Sequence, residues 1–305
     1  MGFWQRVGYV IRTGKIKRPS HYIKRMDVYR RDRDYEKYQA AMKRIGADYG
    51  VVSSGDSSFV FNKGNRGGAR YISTEKKVLS QEEIELFLEL TEKHYNVSPQ
   101  TGDYFFDIGS NIGTTAIFMA QQFKDINVVA FEPEPENYKL LLINSILNDC
   151  ENIKSEKLAV SDKKGKLYFH VDSDASDSSA ISETATAFEG DIEVDTISLD
   201  EYLESEGIPF ERVKYLWVDV EGHELFALKG MRKLLHSRKI PLFMEFVPRF
   251  INREKVEQMV EELKDIYEEF FYVNFSGDEK GSMKLGSLVE FYEKNRSGLY
   301  NLFLY

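Results

Sequence analysis

The chain has 305 residues, 42% of them hydrophobic, which suffices for one large domain with a sizeable core. Its net charge of −9 argues against a general nucleic-acid-binding protein, and we expect no nucleic-acid partner. The single cysteine, Cys150, excludes an internal disulfide and a cysteine-based zinc cluster, and it fits a reducing cytoplasm.

The N-terminal region is basic, whereas the rest of the chain is acidic. Residues 1–44 contain 13 Lys and Arg against 4 Asp and Glu. Residues 1–48 are predicted to form a charged helical arm, which leaves open packing on the main domain, packing in a homodimer, and contact with a membrane surface or another anionic partner. Because we find neither a long apolar run nor a signal peptide, we expect a cytoplasmic protein with at most peripheral membrane contact.

A glycine-rich turn at residues 63–68 lies between short β-like segments at 59–62 and 70–72. No Gly-Lys-Ser/Thr sequence closes this turn, so a hairpin is predicted instead of a phosphate loop. We therefore expect residues 1–79 to form an extension made of the basic arm and a small β-hairpin, and residues 80–305 to form the main domain.

The most informative stretch is residues 104–132. A buried strand, a glycine turn, a helix and a second buried strand follow one another there, and the second strand ends in Glu132. This order is half of a mononucleotide-binding α/β unit. Gly109 and Gly113 carry no Cβ that would keep a ligand from the backbone. Glu132 is placed to accept hydrogen bonds from ribose hydroxyls.

The spacing of the glycines distinguishes between nucleotide ligands. A dinucleotide site needs G-x-G-x-x-G, whereas Gly109 and Gly113 are four residues apart and follow an acid, Asp107. A carboxylate beside the turn would repel a pyrophosphate but suits a ligand with a cationic or amino end, such as S-adenosylmethionine. The alternative is an ordinary turn whose glycines serve only the backbone.

Strands and helices continue to alternate after Glu132. A third strand is predicted at 155–161, with residues 167–171 as its hairpin partner. Residues 172–190 are small and polar and predict a flexible loop, which in compact α/β domains is often a substrate lid. Further strands are predicted at 192–197, 215–219, 241–246, 270–275 and 300–305, and helices at 135–148, 199–205, after 224 and at 253–267.

Acidic residues follow several of the predicted strands. Because ligands of open α/β sheets bind outside the carboxyl ends of the strands, we expect Asp107, Glu132, the segment 219–224 and Glu245 to lie at one edge. Such a cluster is costly unless a cation lies among the acids. The sulfonium and amino groups of S-adenosylmethionine would serve, and so would a divalent metal.

The segment Asp219-Val220-Glu221-Gly222-His223-Glu224 is the second strong signal. Asp219 ends a buried strand, where a carboxylate without a partner is expensive. Asp219 and Glu221 are candidates to hold a metal, if one is used. Glu224 has a simpler alternative, which is stabilisation of a helix N-terminus.

Together these motifs resemble the FkbM family of S-adenosylmethionine-dependent methyltransferases. The matching segments are 107–113 (DIGSNIG), 131–137 (FEPEPEN), 158–162 (LAVSD) and 218–224 (VDVEGHE), followed by 228–230 (LKG) and 244–245 (ME). The resemblance covers about residues 80–247. It implies a class I methyltransferase fold, with a seven-stranded Rossmann-like sheet and helices on both faces, and O-methylation, often of sugars or natural-product hydroxyls. One difference is Trp217, where the family often has a lysine.

We predict in-line transfer of the sulfonium methyl group to a hydroxyl oxygen, which mainly requires that the two reactants are aligned. A hydroxyl also needs a base or a Lewis-acid metal to become a good nucleophile. The candidate catalytic residues, in order, are Asp219, Glu221, His223 and Glu245. A histidine ordinarily titrates near neutral pH, which makes His223 a candidate base, but it could also be a surface histidine in the first turn of a helix.

The predicted function is O-methylation of a hydroxyl on a glycan or sugar-containing metabolite. Two alternatives stay open: a methyltransferase that acts on an amine, carboxylate or protein side chain, and a non-catalytic binding protein on the same fold. The predicted substrate contacts are Ser178 and Ser179. The predicted cofactor contacts are Asp107, Gly109, Ser110, Asn111, Gly113, Glu132, Pro133, Ala159 and Ser161.

Overall fold

The structure is a computed structural model, and it describes residues 49–54, 56–62, 81–170, 180–182, 191–275, 277 and 279–305. The predicted arm at 1–48 and the predicted substrate contacts Ser178 and Ser179 lie outside these residues.

Strands and helices alternate along most of the described chain. The strands are β1 (Tyr49–Ser54), β2 (Ser57–Asn62), β3 (Tyr104–Ile108), β4 (Asn127–Phe131), β5 (Ile153–Glu156), β6 (Ala159–Val160), β7 (Gly165–His170), β8 (Ala180–Ser182), β9 (Ile192–Ile197), β10 (Val213–Val218), β11 (Leu242–Phe246), β12 (Glu269–Asn274), β13 (Lys280–Lys284) and β14 (Tyr300–Leu304). The helices are α1 (Gln81–Tyr95), α2 (Thr114–Gln122), α3 (Pro135–Leu147), α4 (Leu199–Glu206), α5 (Glu224–Gly230), α6 (Arg232–Ser237), α7 (Arg253–Leu263) and α8 (Leu288–Lys294).

A mixed sheet of eight strands forms the centre of the described residues, in the order β13-β12-β14-β11-β10-β3-β4-β5. Neighbours from β5 to β11 run parallel, whereas β14 runs antiparallel to β11 and β12. The strand order reverses between β3 and β10, and ligands of open α/β sheets bind at such a switch point. The predicted α/β fold is confirmed, and β13 is a further strand beyond the seven expected.

Helices cover both faces of this sheet, because successive strand residues point to opposite sides. Phe106 packs in one core with residues of α4 to α8, whereas Phe105 packs in a second core with residues of α1, α2, α3 and the β1–β2 hairpin. The ring of Phe87 on α1 packs edge-to-face against four aromatic rings of the sheet, those of Tyr215, Trp217, Phe243 and Phe303. Large buried aromatics of this kind contribute strongly to core stability.

The described hairpin pairs β1 with β2, which precedes the predicted one. The predicted turn at 63–68 and the segment at 70–72 lie outside the described residues. The described hairpin is bound to α3 through a fully buried amide. Asn144 Oδ1 accepts a hydrogen bond of 2.7 Å from the Val60 N–H, and its Nδ2 donates to the carbonyls of Val60 and Ile112. The hairpin is therefore fastened to the glycine turn by one side chain. The boundary at residues 79 and 80 stays a prediction.

The prediction of one third strand at 155–161 is wrong. The chain forms β5 in the main sheet and then β6 in a second sheet of order β6-β9-β7-β8. β7 does not pair with β6, because β9 lies between them. The reason is a small separate core, in which Ala159 and Val194 pack with Ile192 and draw β6 onto β9. Residues 180–182 of the predicted loop form β8.

Two further differences concern the C-terminal half. The single helix predicted after residue 224 is divided at Met231 into α5 and α6. The Asp200 carboxylate accepts hydrogen bonds of 2.8 and 3.0 Å from the N–H groups of Lys233 and Leu234, which satisfies the first turn of α6 from outside. Sequence reasoning also missed β13 and α8. Within the described residues, no helix combines the length and apolar character that a membrane span requires.

Candidate functional site

The glycine turn after β3 is hydrogen-bonded to the end of β4. The N–H groups of Gly109 and Ser110 donate to the Phe131 carbonyl at 3.0 and 2.9 Å. The Asn111 N–H donates to Glu132 Oε2 at 2.8 Å. The structure therefore brings the glycine turn and Glu132 together at the carboxyl edge of the sheet, next to the switch in strand order.

Glu132 is a buried carboxylate with remaining capacity to accept hydrogen bonds. Its Oε1 accepts from the Glu134 N–H at 2.8 Å, and Pro133 lies buried between the two glutamates. Burial raises the pKa of Glu132 to about 8, although these N–H donors favour the charged form. Since each carboxylate oxygen has two lone pairs, both can still accept from a ligand hydroxyl.

Asp107 is only 1% exposed. Its Oδ2 is buried and has no hydrogen-bond partner among the described residues. Burial, reinforced by the charge of Asp219, raises the pKa of Asp107 to about 7. Buried polar atoms are nearly always hydrogen-bonded, so an unpartnered oxygen beside the glycine turn indicates a place for a ligand donor or cation.

The two glycines of the turn are required by the fold itself. Both have positive φ, +90° at Gly109 and +91° at Gly113. A Cβ on Gly109 would overlap the Asp219 carbonyl oxygen, and one on Gly113 would lie 2.5 Å from Leu141 Cδ1 on α3. These glycines are therefore explained by neighbouring protein atoms, and by themselves they do not indicate a ligand.

The three predicted catalytic acids lie close together, two in the turn after β10 and one in β11. Carboxylate oxygens of Asp219, Glu221 and Glu245 all lie within 4.8 Å of one another. Burial raises the pKa of Asp219, and burial together with the Asp219 charge raises that of Glu245 well above its usual range. The pair can therefore share a proton, with Glu245 donating to Asp219. The same three oxygens could instead ligate a divalent cation.

His223 is not a surface residue, since only 3% of it is exposed. Its Nε2 lies 3.0 Å from Ser161 Oγ, and its ring stacks on Phe226 with centroids 4.7 Å apart. Burial, with a smaller effect of the Lys255 charge, lowers the pKa of His223 to about 4. The imidazole is therefore neutral at physiological pH and connects the 219–224 turn to the segment after β6.

Ala159 lies in the second sheet and Ser161 lies at its edge. Ala159 is buried in β6 and pairs with Thr196 of β9, whereas Ser161 follows β6 and contacts His223. Glu224 Oε1 accepts a hydrogen bond of 3.0 Å from the Gly222 N–H. Glu224 thus stabilises its own turn, in keeping with the structural alternative for this residue.

Comparison with known proteins identifies the family. Residues 107–275, more than half of the chain, match the family model described as the methyltransferase FkbM domain. The chain belongs to the FkbM methyltransferase family. It is 36% identical over 157 residues to the hexuronic acid methyltransferase AglP of Haloferax volcanii, covering 52% of this chain and 58% of that protein. It is 30% identical over 156 residues to methyltransferase sdnD of Sordaria araneosa, covering 42% of this chain and 60% of that protein.

The matches thus span about three fifths of these relatives, 58% and 60% of their lengths. Among solved structures, the FkbM methyltransferase of Methylobacillus flagellatus is 15% identical, with a TM-score of 0.44, covering 79% of this chain and 53% of that chain.

In this FkbM-family chain, Trp217 serves the core. Its ring stacks on Phe243 with centroids 3.7 Å apart and meets the edge of Phe87. Only 3% of the residue is exposed. The side chain at this position therefore packs the sheet against α1.

Sequence reasoning missed the residues that follow β11. A Cβ on Gly222 would lie 3.1 Å from Phe250 Cβ, so the segment after β11 packs directly on the 219–224 turn. The Arg249 guanidinium lies 4.8 Å from the centroid of the Phe250 ring. Both residues follow a strand at its carboxyl end, so the rule that selected Glu245 would also have selected them.

Proposed function

We propose that this protein is an S-adenosylmethionine-dependent O-methyltransferase that methylates a hydroxyl of a glycan or sugar-containing metabolite. The observation that carries the proposal is the hydrogen bond between Asn111 and Glu132, which joins the glycine turn and the acid-tipped strand at the switch point of an FkbM-family fold.

The acids at this edge fit the methyl donor. Asp107 has a buried oxygen without a hydrogen-bond partner in the described part of the chain, and Glu132 retains lone pairs for ribose hydroxyls. Burial raises the pKa values of both carboxyls, and a cationic ligand beside them would offset that cost. When bound, the donor supplies a methyl group on a positively charged sulfur. The glycine turn with Ser110 and Asn111 would hold it, and Pro133, Ala159 and Ser161 are proposed to lie near its adenine.

Asp219 is the proposed base. The Asp219 carboxylate would accept the hydroxyl proton of the acceptor. Glu245 and Glu221 would orient this carboxylate and set its state of ionisation. His223 is neutral and bonded to Ser161, so we assign it to positioning of the turn. A divalent cation on Asp219, Glu221 and Glu245 is the second candidate, since it would lower the pKa of the hydroxyl directly.

A sugar acceptor is favoured by the relatives. The protein from Haloferax volcanii is a hexuronic acid methyltransferase, which supports a sugar acceptor over an amine or a protein side chain. We further propose a cytoplasmic protein without a nucleic-acid partner, in which residues 1–44 bind an anionic surface or a second subunit. These last points rest on charge and composition alone.

The first test is calorimetry of the full chain with S-adenosylhomocysteine. Glu132→Gln should weaken binding about tenfold, because one charge-assisted acceptor is lost. Glu257→Gln, at an exposed position of α7, is the control and should bind like the unmodified protein. The absence of binding by the unmodified protein would favour a non-catalytic scaffold.

The second test is incubation with labelled methyl donor and a panel of saccharides, lipid-linked sugars and amines. Label should appear on sugar hydroxyls. Transfer to amines alone would contradict the O-methyl assignment.

A further inference from the structure

Basic and aromatic side chains form a patch at the same edge of the sheet as the acids. Phe226 lies in α5, and the ammonium groups of Lys229 and Lys255 are 5.5 and 5.8 Å from its ring centroid. Arg249 lies over Phe250 in the segment after β11. We call these five residues the cation–aromatic patch. A cation is attracted to the face of an aromatic ring, so the rings hold the positive charges in place.

The patch borders the 219–224 turn on two sides. Phe250 packs on Gly222, and Phe226 stacks on His223. Lys255 is close enough to His223 to contribute, after burial, to the lowering of its pKa. The patch is therefore adjacent to Asp219, where the acceptor hydroxyl is proposed to react.

Arg249 is the most informative member of the patch. It is exposed, and within the described part of the chain no carboxylate pairs with it, although the protein carries 50 Asp and Glu against 41 Lys and Arg. Phe250 beneath it is 37% exposed. A guanidinium that pairs with no described carboxylate and lies beside an exposed ring is suited to a ligand that has both an anionic group and an apolar ring face.

We propose that the acceptor is an anionic sugar, whose carboxylate or phosphate is bound by Arg249 and whose ring lies against Phe250. The proposal rests on the proposed function, because it concerns the acceptor side of that site. It divides the edge by charge, with Asp107 and Glu132 beside the cationic donor and the patch beside the anionic acceptor. Lys229, which donates to Gln258 Oε1 at 2.8 Å, supports Phe226 from the α5 side.

The test is ligand-observed NMR of the full chain with D-glucuronic acid, D-glucose 1-phosphate and D-glucose. Charged sugars should bind and D-glucose should not. The better ligand of the two charged sugars identifies the anionic group as carboxylate or phosphate. Arg249→Gln should weaken binding of the better one by at least about tenfold, the usual effect of losing one charge-assisted contact.

Arg253→Gln is the matched control, because Arg253 is also exposed and lies four residues later but already pairs with Glu257 and Glu293. It should leave binding unchanged. Equal binding of D-glucose, no binding of either charged sugar, or full binding by the Arg249→Gln variant would overturn the proposal.

Failure of this proposal and failure of the proposed function can be told apart. Loss of charged-sugar binding with S-adenosylhomocysteine binding intact would reject the anionic acceptor alone. Absence of S-adenosylhomocysteine binding would reject the methyltransferase, while the sugar measurements would still decide the patch. With an active acceptor, Arg249→Gln should raise KM for the charged sugar and leave kcat nearly unchanged.

Discussion

A Cβ atom on Gly109 would overlap the carbonyl oxygen of Asp219, because the turn after β3 and the turn after β10 are in direct backbone contact. The Asp219 N–H also donates to the Ile108 carbonyl at 2.9 Å. Two motifs that are far apart in the chain thus share one contact. A change at the glycine turn should therefore disturb the proposed base as well as the proposed donor site.

Gly109→Ala should destabilise the protein and abolish S-adenosylhomocysteine binding. The new methyl group would meet rigid backbone at a positive φ, and we expect a loss of about 3 kcal/mol or more from steric overlap and backbone strain together. Gly102→Ala is the control, since Gly102 has a φ of +83° but nothing within 4 Å. Urea denaturation should show the larger loss at Gly109. Equal losses in the two variants would mean that the contact with Asp219 is unimportant.

Asp219→Asn should abolish methyl transfer and leave S-adenosylhomocysteine affinity nearly intact. An amide cannot take a hydroxyl proton, and about 10²–10⁴-fold in rate is typical for loss of a general base. Glu221→Gln should reduce the rate less. Labelled-donor assays and calorimetry on both variants provide the measurement. Full activity of Asp219→Asn would refute the role of Asp219.

The protein without ligand should lose stability as pH rises from about 5 to 8. The folded pKa of Glu132 is raised to about 8 by burial, from a usual value of 4.5. Between these values the native state binds more protons than the unfolded state, so stability falls with increasing pH. Each unit of pKa difference corresponds to about 1.4 kcal/mol, which makes the loss a few kcal/mol.

Glu132→Gln should reduce this dependence, because the amide does not ionise, whereas the raised pKa of Asp107 still contributes in the same direction. The NH₂ group of the new glutamine would face a backbone N–H, which lowers stability at every pH. Thermal melts across the pH range compare the slopes. Glu257→Gln should keep the original slope. An unchanged slope in Glu132→Gln would show that Glu132 does not titrate in this range.

Asn144→Ala should detach the β1–β2 hairpin. The buried side-chain amide of Asn144 accepts a hydrogen bond from the Val60 N–H and donates to the carbonyls of Val60 and Ile112. Leaving these groups unsatisfied should cost about 3 kcal/mol. Asn148→Ala, which removes similar bonds to Ser58 at a more exposed site, should cost less. Urea denaturation gives the stability, and hydrogen exchange of the Val60 amide reports the hairpin. Unchanged exchange would contradict the assignment.

The sequence by itself determined the α/β class, the central β3–α2–β4 unit and the edge at which Asp107, Glu132, Asp219 and Glu245 gather. These features follow from local patterns: buried parallel strands are apolar runs, and glycine is needed where φ is positive. The rule that ligand groups follow the carboxyl ends of strands then requires only the order of the elements.

Only the tertiary structure decided which strand edges pair and what each polar atom contacts. Three features depend on contacts between segments that are distant in sequence. They are the division of 155–161 into β5 and β6, the position of β9 between β6 and β7, and the hydrogen bond between His223 and Ser161. Their stability depends on small hydrophobic cores shared between elements and on which strand edges remain unpaired. The local periodicity of hydrophobic residues encodes neither. The strand-end rule could have selected Arg249 and Phe250 from the sequence, but only the tertiary structure shows that Phe250 packs against Gly222.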